Sequence, residues 1–312
     1  MADNTQIDLV YIAGSGRSGS TLLERALGQF DEFTSIGELR HIWRNELDFL
    51  CGCGTSFRQC DFWNDTFDLA FGGLENIDFS KMRKLQKRVD RVRFIPLYFF
   101  PSLPLHSFES ALSEYKDIHL RIYSAIHSIT GKRFILDSSK DISYLYILSG
   151  IQNIRLHILH VVRDSRGVAY SWNKRPKLRP EVLNKKIFMP QPKTLKVAID
   201  WVIRQWAIEH LPQKVASYTF VKYDDFILSP TSTIQAIQKN IGFCADVSGI
   251  SGDGWINLSK PNHTVSGNPI RFISGKTPLK MDIEWQNSYS FFNKMVVTFI
   301  TLPYLRKYKF FK

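Results

Sequence analysis

The sequence predicts an α/β fold in three layers, a mostly parallel central sheet flanked by helices. Three observations carry this. An early apolar run, Val10-Tyr11-Ile12-Ala13, passes through a glycine-rich turn into a helical pattern. Later apolar runs each end in polar residues and are again followed by helical patterns, the alternation of parallel βαβ units. At 312 residues and 44% hydrophobic content, the chain can bury one substantial core, so it reads as one domain, 1–312.

The first strand leads into Gly14-Ser15-Gly16-Arg17-Ser18-Gly19-Ser20-Thr21. A strand, a glycine turn and a helix start aim backbone N–H groups and the positive end of a helix dipole at one point, where an anion is stabilised. Ser18, Ser20 and Thr21 add hydroxyl donors. Counted from Gly14, the glycine spacing is that of a Walker A loop and Thr21 fills the last position, but Ser20 stands where lysine belongs. Arg17, inside the loop, supplies the cation, and its planar fork suits two oxygens of one anionic group. The fold expected is therefore P-loop NTPase-like.

Next comes Ile36-Gly37-Glu38-Leu39-Arg40, which leads into a second helical pattern ending near residue 50, with Glu38 in its first turn. A helical and loop insertion at about 50–130 follows. It holds a basic amphipathic stretch at 79–92, read either as a solvated helix face or as a surface that captures acidic substrates. A break at Pro96, Pro101 and Pro104 separates that stretch from a further helix at about 109–128.

Strand signals then return in Lys132-Arg133-Phe134-Ile135-Leu136-Asp137, in Arg155-Leu156-His157-Ile158-Leu159-His160-Val161-Val162 and in Tyr218-Thr219-Phe220-Val221-Lys222. Ligands of such sheets gather beyond the carboxyl ends of the strands, so the polar residues after each run converge. His160, inside an apolar strand, reads as a satisfied core residue. Trp201 and Trp206 lie in the helical pattern 193–210 and, with Trp285, read as core packing.

Arg163 ends one strand, and Ser171 lies eight residues on, about two helical turns. With Ser171 facing back, the pair can hold a second phosphate apart from the first loop. Two separated anion sites suit a nucleotide phosphorylated at both ends. The net charge of +12 favours a polyanionic ligand, an acidic surface or nucleic acid without choosing among them.

Three of the four cysteines cluster as Cys51-Gly-Cys53-Gly54 and Cys60. Three thiols fall short of the four ligands of a zinc site unless His41 or a distant group completes them. A compact thiol loop or a labile local disulfide is the expectation, and no metal. No basic-then-apolar leader is visible and no apolar run is long enough to span a bilayer, so a cytoplasmic location is expected. The run 295–305, flanked by Lys294, Arg306, Lys307, Lys309 and Lys312, reads either as a docked terminal element or as a peripheral membrane contact.

At this point the chain resembles the sulfotransferases that use 3′-phosphoadenosine 5′-phosphosulfate (PAPS), especially the carbohydrate and tyrosylprotein branch and its bacterial relatives. The resemblance rests on Arg17-Ser18-Gly19-Ser20-Thr21-Leu22 and on Arg163-Asp164-Ser165-Arg166 with Ser171. It extends to Gly37-Glu38-Leu39, the Cys-Gly-Cys-Gly loop, Asp137-Ser138-Ser139-Lys140, Tyr223-Asp224-Asp225-Phe226 and Ser266-Gly267-Asn268-Pro269. It implies transfer of a sulfuryl group from PAPS to an acceptor hydroxyl or amine, with a carbohydrate among the candidate acceptors and no metal required. By position, Gly16 to Thr21 hold the 5′-phosphosulfate, Arg17 stabilises the leaving phosphate, and Arg163 and Ser171 select the 3′-phosphate. Tyr223, Gly267, Asn268 and Arg271 border the nucleotide. Glu38 is the base, and Lys140 and His263 face the acceptor side.

Two rivals stay open. One is a P-loop kinase or NTPase in which Asp137 holds magnesium. The other is a basic polyanion-binding protein, although no sequence-reading nucleic-acid motif is present.

Overall fold

The computed structural model describes residues 6–43, 49–99, 106–174, 176, 178, 179, 182, 186–252 and 254–311. Strand β1 (Ile7–Gly14) is buried along its whole length, as expected of a parallel strand covered on both faces. Alternate residues serve opposite cores. Ile7, Leu9, Tyr11 and Ala13 join one apolar cluster, and Val10 and Ile12 join another. This period of two separates the layers.

Helix α1 (Ser20–Leu27) follows the glycine turn and packs Leu22, Leu23, Ala26 and Leu27 into the second cluster. Strand β2 (Phe33–Gly37), which sequence patterning missed, has no long apolar alternation to betray it. After it, where a helix up to residue 50 is expected, the described residues hold a short 3-10 turn, Leu39–His41, with Glu38 at its N-cap position. Residues 44–48 of that expectation, like Pro101 and Pro104 of the expected break, lie outside the described residues.

Helices α2 (Asp61–Phe71), α3 (Phe79–Val89) and α4 (His106–Thr130) form the connection from β2 to β3 (Phe134–Lys140). Next in the chain come α5 (Ile142–Ser149), β4 (Ile154–Val162), α6 (Ser165–Asn173), α7 (Thr194–Glu209) and β5 (Ser217–Lys222). The five strands pair in parallel in the order β2-β3-β1-β4-β5. The strand order reverses beside β1 and β4, which opens a crevice at their carboxyl ends.

The first cluster is roofed by α4 and α5 through Ile122, Ile126, Leu145 and Leu148. The second is closed by α8 (Tyr223–Leu228) and α9 (Pro230–Ile241) through Phe226, Ile234 and Ile237. An antiparallel sheet of β6 (Ser251–Gly252), β7 (Trp255–Asn257) and β8 (Lys276–Pro278) follows. Helices α10 (Glu284–Ser288) and α11 (Phe291–Lys307) end the chain. The 295–305 run thus belongs to a docked helix, with Val297, Thr301 and Leu305 buried and Phe291, Phe292, Met295 and Phe299 exposed. Among the described residues, no helix is long and apolar enough to cross a membrane.

Candidate active site

At the end of β1 the chain turns with Arg17 at φ 71 and Gly19 at φ 88. Gly19 is the N-cap of α1, in the left-handed region where a side chain is strained, and an added Cβ would lie 2.5 Å from the Tyr223 ring. No side chain caps α1, so its first turn is open to an anion. Ser18 Oγ and Arg17 Nε are buried without a protein partner. A ligand rich in acceptor oxygens matches such donors.

Arg17 lies over Trp172, 4.7 Å from the ring centroid, and Gly16 rests against the same indole. Burial lowers the Arg17 pKa and the nearby Glu38 charge opposes that shift. Trp172 was not singled out in the sequence, because its placement depends on α6 packing back on the turn.

Arg163, at the end of β4, is 5% exposed. Its Nη1 donates to the Arg17 carbonyl at 3.1 Å, and its guanidinium lies 4.8 Å over the Tyr223 ring. Nη2 meets both the carboxylate and the carbonyl of Asp282, at 3.0 and 3.1 Å. Tyr223 therefore touches both the glycine turn and the second arginine. Ser171 lies in the second turn of α6, half-buried. Gly267 approaches Thr21, whose hydroxyl accepts from the Asn268 N–H at 3.4 Å.

Arg271 departs from its expected place among the phosphate contacts. It is fully buried and donates to the carbonyls of Thr264 (2.5 Å) and Leu50 (2.9 Å). His263 departs likewise. Its Nδ1 lies 3.4 Å from Cys60 Sγ, its ring stacks on Phe62, and its carbonyl accepts from Trp63 Nε1.

Glu38 is buried beyond β2, paired through Oε1 with Lys140 Nζ and through Oε2 with His41 at 3.1 Å. Burial pushes its pKa up, but the Lys140 ammonium and His41 overcome this and hold the carboxyl well below the usual range. It is ionised at neutral pH. Lys140 is held at φ 61, an uncommon conformation for a lysine, where its carbonyl accepts from Arg204 and its Nζ also donates to the Ser138 carbonyl. The Glu38 turn is anchored by Arg40, which pairs with Asp90 at 2.6 Å and Asp141 at 3.3 Å.

A buried glutamate that sequence reading passed over joins these parts. Glu24, on α1, accepts from the Gly37 N–H at 2.7 Å and from Ser138 Oγ at 2.6 Å. Burial raises its pKa to about 7. A carboxylate within the apolar Leu22–Leu27 pattern was the available signal. Beside it, Arg25 donates to the carbonyls of Leu258, Lys260 and Ile273.

Asp137 is fully buried, accepting from Tyr123 OH at 2.6 Å and the Ser139 N–H at 2.7 Å, and burial raises its pKa to about 6. Its oxygens are engaged within the protein. His160 is a satisfied core residue, bonded to Tyr218 OH and Gln205 at 2.6 Å each. Trp201 is buried, whereas Trp206 is 44% exposed, stacked on His210, and Trp285 is half-buried over Arg166.

No protein-family model matches the sequence, and no curated protein matches it. Among solved structures the chain is similar to the sulfotransferase domain of the olefin synthase of Synechococcus PCC 7002, at 16% identity and TM-score 0.51, over 97% of each chain. A sulfotransferase domain from the curacin biosynthetic pathway aligns at 14% identity and TM-score 0.49, over 96% of this chain and 98% of the other. At 16% identity the first likeness establishes the fold: this chain has the architecture of that sulfotransferase domain.

Proposed function

We propose that the protein transfers a sulfuryl group from PAPS to an acceptor hydroxyl or amine. The observation that carries this reading is the pairing of two arginines at one crevice, the half-buried Arg17 in the glycine turn and the buried Arg163 bonded to its carbonyl. A nucleotide phosphorylated at both ends needs two such cations, while the turn lacks the lysine that ATP-using loops place at position 20.

In this reading, the open first turn of α1, Ser18, Ser20, Thr21 and Arg17 hold the 5′-phosphosulfate. Arg163, Ser171 and Tyr223 take the 3′-phosphate, and Gly267 and Asn268 border the nucleotide. Positioning and charge stabilisation do most of the work, as in phosphoryl transfer. The acceptor oxygen forms a bond to sulfur as the bond from sulfur to the bridging phosphate oxygen breaks. That electron pair stays on the phosphate of adenosine 3′,5′-bisphosphate, facing Arg17. The hydroxyl proton passes to the Glu38 carboxylate, which Lys140 and His41 keep ionised.

Helices α2 to α4 supply one wall of the acceptor side. An uncharged or anionic sugar hydroxyl fits a chain carrying +12.

The test is isothermal calorimetry with adenosine 3′,5′-bisphosphate and with ATP, both in chelator. The bisphosphate is expected to bind, ATP to bind at least about tenfold more weakly, and Arg163→Ala to lose at least about 30-fold, as for a buried charge-assisted contact of ~2 kcal/mol or more. A folded protein that ignores the bisphosphate, or prefers ATP once magnesium is restored, overturns the reading.

A further inference from the structure

Cys51, Cys53, Cys60 and His263 come from opposite ends of the chain, yet their ligand atoms all lie within 4.8 Å of one another. Cys60 Sγ is 3.7 Å from Cys51 Sγ and 3.7 Å from Cys53 Sγ. His263 Nδ1 is 3.4 Å from Cys60 Sγ and 3.9 Å from Cys51 Sγ. Around a tetrahedral zinc with ordinary bond lengths, sulfurs lie about 3.8 Å apart and sulfur and nitrogen about 3.6 Å. We propose that these four side chains form a structural zinc site.

The surroundings hold the ligands in place. Cys51 N–H donates to the Thr55 carbonyl at 2.8 Å and Gly54 N–H to the Cys51 carbonyl at 2.9 Å, a tight turn that brings two thiols close despite a spacing shorter than usual for zinc pairs. Gly52 N–H donates to the Thr264 carbonyl at 3.1 Å, which joins the two loops backbone to backbone, and an added Cβ there would meet the Asn262 side chain, its Oδ1 at 1.9 Å. Phe62 stacks on the His263 ring at 4.5 Å, and Trp63 holds its carbonyl. Cys51 and Cys60 are buried. Cys53 is half-buried, and four protein ligands leave no open position, which marks structural zinc. A disulfide would use two sulfurs and leave the third thiol and the imidazole facing each other.

The site fastens the segment before α2 to the segment 262–268. That segment also donates from Val265 N–H to the Ile36 carbonyl at 2.9 Å and reaches Thr21 through Asn268. Zinc therefore fixes the loop bordering the glycine turn, whichever donor the protein uses.

The experiment is elemental analysis of the full chain, purified in reductant from zinc-supplemented cells, with zinc release on thiol modification and cobalt(II) substitution as second readouts. One zinc per chain is expected, along with a cobalt spectrum showing tetrahedral d–d bands and thiolate charge transfer. Cys60→Ser and His263→Ala are each expected to weaken metal binding by at least about 100-fold, beyond the loss caused by removing an outer-shell partner. Cys244→Ser, an exposed cysteine elsewhere, is expected to bind normally. If Cys60→Ser does not fold, the wild-type cobalt spectrum still decides. Folded, reduced protein without metal, or a disulfide among the three cysteines as purified, overturns the site, and an unchanged cobalt spectrum in His263→Ala overturns the fourth ligand.

Discussion

The glycine turn after β1 and the thiol corner beside β2 meet through Thr21 and Asn268, but they are assembled differently. The turn gathers its donors within eight consecutive residues, 14–21, and needs only a strand before it and a helix after it. The thiol corner joins residues 51–60 to residue 263, more than 200 positions away, and depends on backbone-to-backbone contact between two loops. A site built locally survives changes in distant packing. A site built across the fold transmits them.

The largest expected effect breaks the local half. Gly19→Ala forces a side chain into φ 88 and against Tyr223 at 2.5 Å. Binding of adenosine 3′,5′-bisphosphate should fall by at least about 100-fold in calorimetry, the ~3 kcal/mol expected of strain plus overpacking. Near-normal affinity would show that the turn tolerates what its geometry forbids.

Glu38 sits between the two halves, and its variant sharpens their division of labour. Glu38→Gln should lower kcat by about 10²- to 10³-fold, the usual contribution of a general base, while bisphosphate affinity stays within about twofold. Equal losses in binding and turnover would mark Glu38 as part of the nucleotide corner instead.

The third test concerns Glu24, which ties α1 to β2 and β3. Glu24 has its pKa raised from 4.5 to about 7 by burial. The folded state therefore holds a proton that the unfolded chain gives up between those values. Stability falls as pH rises from about 4.5 to 7, then levels off, for a total of about 3 kcal/mol. Glu24→Gln, which keeps an acceptor for the Gly37 N–H, should match the wild type near pH 4.5 and exceed it by up to about 3 kcal/mol at pH 8 in urea titrations. A pH-independent difference would mean that Glu24 stays ionised in the fold.

What the sequence made legible follows the same division. The β1 turn, the parallel strands and helices α3, α4 and α7 were readable because each is a periodic or local signal. Strand β2 was not, since Phe33–Gly37 is short and carries the polar pair Thr34-Ser35 at its centre. His263 was misplaced because nothing near it in sequence names the cysteines it faces. Arg271 was misplaced for a related reason: an arginine in a loop looks like an anion contact until the fold shows it donating to the Leu50 and Thr264 carbonyls. Glu24 and Trp172 became meaningful only when Gly37, Ser138 and Gly16 were brought beside them.

The bond from Arg163 to the Arg17 carbonyl carries one more consequence. Both arginines leave neighbouring strands just after Gly14 and Val161, which are paired in register. The spacing of the two backbone segments that carry the cations is therefore set by strand geometry. In the proposed two-phosphate reading, the crevice acts as a caliper, and a molecule of equal charge but different length is turned away by its dimensions.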